Sequence, residues 1–80
     1  MEEQQLAEKL RVTLLKFNST AEFICPGRIQ IQILGVGKVI ELTYQKGAQN
    51  GAKDQGCRLE QIVRRVLSQN GFEIVSFIIS

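Results

Sequence analysis

The chain offers few groups able to do chemistry, and the gaps are as informative as the groups present. It has no histidine. That removes Ser-His-Asp and Cys-His nucleophilic machinery, and the commonest general base with it. Its two cysteines, Cys25 and Cys57, cannot supply the four ligands of a structural zinc site within one chain. The sequence therefore predicts no catalytic residue, no metal and no cofactor. Cys57 precedes a helical segment, where the helix dipole could lower a thiol pKa. A small side chain packed beneath the helix is the simpler expectation for a free cysteine.

The carboxylates and glycines add little. Asp54 is the sole aspartate. Glu41 and Glu73 could share a sheet face as an acid pair, although two solvated charges are the usual outcome. Gly35-Val36-Gly37-Lys38 has a superficial likeness to a phosphate loop. A true one joins a strand to a helix, with a hydroxyl residue after the lysine. Here Val39 holds that position and apolar alternation runs on both sides, so the glycines read as a hairpin turn.

The cations are more suggestive. The chain carries 10 basic and 8 acidic residues, net +2. The excess lies after residue 45: Lys46, Lys53, Arg58, Arg64 and Arg65 against Asp54, Glu60 and Glu73. These five cations could form a nucleic-acid or anion contact. On an open sheet face Arg28, Gln30, Gln32, Thr43 and Gln45 could add hydrogen bonds to bases. Sheet-based RNA recognition also needs exposed aromatics, and only Phe77 is placed to be one.

The elements that position these residues follow from periodicity. Leu6, Ala7, Leu10, Leu14 and Phe17 recur at three- and four-residue spacing and predict a helix over 2–17. Asn18-Ser19-Thr20 ends it. Residues 22–45 read as a β-hairpin. Ile29, Ile31 and Ile33 alternate with Arg28, Gln30 and Gln32, and Ile40, Leu42 and Tyr44 alternate with Glu41, Thr43 and Gln45. Pro26-Gly27 marks a bend before the hairpin, with Phe23-Ile24-Cys25 as an extension on its far side. Residues 46–56 form a glycine-rich loop, and Asp54 is a candidate N-cap. The helix over 57–70 has the clearest apolar stripe, from Leu59, Ile62, Val63, Val66 and Leu67. Asn70-Gly71 stops it.

The final strand, 72–79, is apolar on both faces. Strict alternation places Phe72, Ile74 and Ile78 on one and Val75, Phe77 and Ile79 on the other.

The chain thus reads as one α+β domain over 1–80 in the order α-β-β-α-β. Two helices pack on a mixed sheet of three or four strands. The last three elements are expected to make a right-handed crossover with parallel strands. The N-terminal Met1-Glu2-Glu3 suits no secretory signal, and no apolar run reaches membrane-spanning length. Both point to a cytoplasmic protein with no membrane role and reduced cysteines. The expected function is a non-enzymatic interaction or assembly module. Its partner is a second copy or another protein, met through Val75, Phe77 and Ile79. The alternative is a weak nucleic-acid-binding domain.

Overall fold

The computed structural model describes residues 3–47 and 57–80. Two helices pack on one face of a four-stranded antiparallel sheet. The elements are α1 (Glu3–Leu14) with a 3-10 turn at Leu15–Phe17, β1 (Ser19–Cys25), β2 (Arg28–Ile33), β3 (Lys38–Lys46), α2 (Arg58–Gln69) and β4 (Phe72–Ile79). The strands lie in the order β1-β2-β3-β4. The order is α-β-β-β-α-β, one strand more than the sequence predicts, and the sheet is not mixed. No helix among the described residues is long and apolar enough to cross a membrane.

One rule sets the register. Ala21, Ile31 and Ile40 lie across from one another on β1, β2 and β3, as do Phe23, Ile29 and Leu42. All six are on the helix side, so each register places the apolar residues of adjacent strands together. Leu6, Leu10 and Leu14 of α1 and Val63 and Leu67 of α2 meet this face and are fully buried. Tyr44 and Phe72 close the core at one end with an edge-to-face contact, ring centroids 5.4 Å apart.

The additional strand begins where the sequence suggests only a turn. Asn18 takes φ 55°, a left-handed conformation asparagine tolerates better than most residues. Its backbone C=O accepts from Leu34 N–H, and its side-chain Nδ2 donates to Leu34 O. This clasp fixes Ser19 opposite Ile33. Pro26-Gly27 is then the turn of the first hairpin rather than a bend before one, with Gly27 at φ 87°. The second hairpin turn behaves as expected, since Gly35 and Gly37 both have positive φ.

The expected parallel crossover does not form, because β4 runs antiparallel to β3. Gly47 N–H donates to Gly71 O at 3.0 Å, so β3 ends where β4 begins. Arg58 lies at the other end of α2, roughly 18 Å away by helical rise. The chain between Gly47 and Cys57 is long enough to bridge that length. α2 therefore runs in the same direction as β3, and the turn at Asn70-Gly71 reverses the chain into β4. The helix starts after Cys57, which stands at its N-cap. Asp54 lies outside the described residues.

A carboxylate fastens α1 to the sheet. Glu3 Oε1 accepts from Tyr44 OH at 2.7 Å and from Gly27 N–H at 2.6 Å. Burial, and then the hydrogen bond and negative charge of Glu3, hold the Tyr44 phenol well above its ordinary pKa. The unfolded phenol ionises near pH 10. Above that pH the unfolded chain loses a proton that the folded chain keeps, so this contribution to stability declines as pH rises. The chain has one tyrosine and no tryptophan, so tyrosinate absorbance reports this group alone. We expect that absorbance to rise only with alkaline unfolding, above the titration of free tyrosine. Glu3→Ala should lower its midpoint and cost about 2 kcal/mol in urea unfolding at neutral pH. A Tyr44 that titrates normally in the folded chain would contradict the clamp.

Candidate functional site

β4 is the outermost strand, so one backbone edge bonds to β3 and the other faces no described strand. Its side chains do not alternate strictly. Tyr44 lies opposite Ile74 and Thr43 opposite Ser76, which leaves Val75 as an inserted residue, a β-bulge. The insertion resets the faces. Phe77 falls opposite Leu42 and Ile79 opposite Ile40, both of which are core residues.

The expected exposed trio is therefore divided. Phe77 packs against the core. Val75 is 55% exposed at the bulge, and Ile79 is 47% exposed at the strand end on the helix side. Ile78, which strict alternation places inward, lies opposite Glu41 on the open face and is 55% exposed. Nothing in a strand apolar on both sides signals where a bulge will fall.

The two edges of the sheet differ in kind. β1 has its own bulge at Ile24, the exposed charge of Glu22, and Pro26 directly after it. These features discourage pairing with another strand. β4 has a single charge, Glu73, whose Oε1 accepts from Gln45 Nε2 at 2.7 Å. From Ile74 to Ile79 the edge is uncharged.

The sequence-adjacent cations separate in space. Lys46 ends β3 opposite Phe72, beside the C-terminal end of α2. Arg58 begins α2, with its guanidinium carbon 5.8 Å from the centre of the Phe17 ring. Arg64 donates to Glu60 at 3.0 Å. Arg65, one residue and about 100° further round the helix, lines a recess with Lys16, Phe17 and Ile62. Lys53 lies outside the described residues. The four described cations do not form one patch: Lys46 stands apart on β3, and Arg64 is paired with Glu60. Lys16 and Phe17, which the sequence assigns to a helix end and an apolar stripe, join two of them instead. Phe17 is 38% exposed because the 3-10 turn carries it off the buried face of α1.

Arg28, Gln30, Gln32, Thr43 and Gln45 do lie on the open sheet face, opposite the buried residues of their strands. The described aromatics lie elsewhere: Phe23, Tyr44, Phe72 and Phe77 on the helix side and Phe17 beyond it. Glu41 and Glu73 share the open face but sit opposite Ile78 and Gln45. Four residues of β3 therefore separate them, about 13 Å, and they are not an acid pair. Cys25 and Cys57 are both exposed free thiols. The expectation that Cys57 packs beneath α2 is thus not met. No cluster of three or more metal-ligating residues occurs among the described residues.

The bulge assigns opposite roles to neighbouring residues. At protein concentrations near 1 µM, Phe77→Ala should cost about 2 kcal/mol, since it removes a ring packed on the core. Ile78→Thr should change stability by no more than about 0.5 kcal/mol. Urea unfolding of both variants checks this, and the reverse ranking would place the bulge elsewhere. Comparison of the chain with family models, with curated proteins and with solved structures finds no match in any of the three.

Proposed function

We propose that the chain is a non-catalytic assembly module that pairs with a second copy of itself along the outer edge of β4. The observation that carries this reading is the unpaired, uncharged edge from Ile74 to Ile79, flanked by half-exposed Val75, Ile78 and Ile79. Backbone N–H and C=O groups on a free edge are a template for another strand. An antiparallel pair of identical strands is its own complement about a two-fold axis, the commonest symmetry of soluble oligomers. Such a pair brings no like charges together within this segment. The protected edge at β1 favours closure as a dimer over continued growth into a filament.

Size supports the same reading. A domain of 80 residues buries a modest fraction of its chain, and association is one of the usual compensations. The lack of histidine favours a role without general acid–base chemistry. A cytoplasmic location, with reduced cysteines, belongs to the same proposal.

Sedimentation velocity from about 5 to 500 µM tests the idea. The wild type should move as a dimer at the upper end. Val75→Lys combined with Ile78→Lys should be a monomer with an unchanged far-ultraviolet spectrum. Amide exchange of β4 should slow with concentration in the wild type alone, which separates pairing from misfolding of the variant. A wild type that remains monomeric at 500 µM, or β4 exchange that ignores concentration, overturns the reading.

A further inference from the structure

The helix layer holds a second surface, independent of the β4 edge. Lys9 Nζ, from the middle of α1, donates to Asn70 Oδ1 at 2.8 Å at the C-terminal end of α2, and Arg58 at the start of α2 covers Phe17 just beyond the end of α1. The helices are therefore antiparallel, and between these contacts two recesses of about 490 and 290 Å³ run on from each other. Thr13, Val66 and Gln69 line both, so they form one trough.

The trough is chemically graded. Val12, Ile62 and Val66 provide an apolar floor and wall. Lys16 and Arg65 stand on the rim near Phe17, and Arg58 lies over that ring. Among the described residues the ion pairs are Arg11–Glu8 and Arg64–Glu60, so none of these three cations is neutralised by a described carboxylate. Among the described residues Glu8 is the one carboxylate on the rim, at the far end, and it is held by Arg11. Thr13 and Gln69 add hydrogen-bonding groups along the length.

We infer that this trough binds single-stranded nucleic acid, with Lys16, Arg58 and Arg65 holding phosphates and the apolar floor receiving bases. Cations along a groove that also presents apolar and aromatic surface are what a strand with charged backbone and flat bases requires. A recess suits a single strand better than base readout of a duplex, whose groove is read by an element that protrudes into it. The apolar floor also distinguishes the trough from a site for a bare anion, which would leave that surface uncovered.

Fluorescence anisotropy of a labelled 15-nucleotide uridine oligomer, titrated from 20 to 300 mM salt, tests the assignment. With three phosphate contacts the log–log salt slope should be near −2, at roughly −0.7 per contact. Lys16→Glu, Arg58→Glu and Arg65→Glu should each weaken binding at least tenfold at low salt and flatten the slope. Arg28→Glu on the open sheet face and Lys46→Glu at the end of β3 should stay within twofold of wild type. Circular dichroism of every variant confirms that it is folded. Absence of binding at 20 mM salt overturns the inference. So does equal weakening by the two control variants, which would mean diffuse attraction. Equal competition by polyglutamate or by anionic phosphatidylserine vesicles would assign the trough to anions in general and also overturn it.

Discussion

The structure depends on a constraint of width. Two helices lying side by side span roughly 20 Å, at about 10 Å each, and four strands at about 4.8 Å spacing fill the same breadth. With α1 over β1 and α2 over β4, one sheet face is covered and no described helix remains for the other. β1, β2 and β3 must therefore carry polar residues outward, as Thr20, Glu22, Gln30, Gln32 and Glu41 do. Their alternation follows from one-sided burial rather than from any intrinsic strand preference. Glu3 and Asn18 hold α1 in place at its two ends, one through Tyr44 and Gly27, the other through Leu34. β4 is the strand that departs from the rule, leaving Val75, Ile78 and Ile79 exposed.

Elements with a one-sided pattern were legible in the sequence. Ile29 and Ile31, Ile40 and Leu42, and the Val63–Leu67 stripe are all buried where their periods place them. β1 was hidden because Ser19 and Ala21 are small. The first half of its inward face lacks large apolar side chains, Phe23 being the one such residue, and Asn18-Ser19-Thr20 has the composition of a turn. The direction of β4 was obscured for another reason. Handedness rules apply once a crossover is parallel, and an apolar pattern on both faces does not say which way β4 runs beside β3. The Val75 bulge left no trace at all, since shifting a strand that is apolar on both sides leaves its pattern unchanged.

The candidate sites show the same limit in a different form. Arg64 and Arg65 are neighbours in sequence but about 100° apart around α2, so one meets Glu60 and the other turns toward α1. Lys16 and Arg65 are 49 residues apart and share a recess. A cluster of charge along the chain is evidence about composition, whereas a cluster in space depends on which helix face meets which. The helix periods did contain half of this information. Arg58, Ile62, Arg65 and Gln69 follow one another at four-, three- and four-residue spacing, which places them on one side of α2. Only the antiparallel packing of α1 identifies what that side faces.

Two-fold symmetry links the β4 edge to the helix layer. In an antiparallel edge pair the axis stands perpendicular to the sheet, because only that rotation reverses the strand while keeping each side chain on its own face. Both helix pairs of the proposed dimer then lie on the same side of one eight-stranded sheet. The trough opens between α1 and α2, away from the pairing edge, so dimer formation leaves it accessible. Two troughs facing the same way can engage one long ligand, and the second contact then forms at the effective concentration set by the first. A module with only three proposed phosphate contacts at each trough would gain most from this arrangement, because a single contact of that size is weak at physiological salt. In the proposed dimer the exposed apolar edge of β4 and the modest charge of the helix layer would share one physical rationale: pairing through the first would double the second.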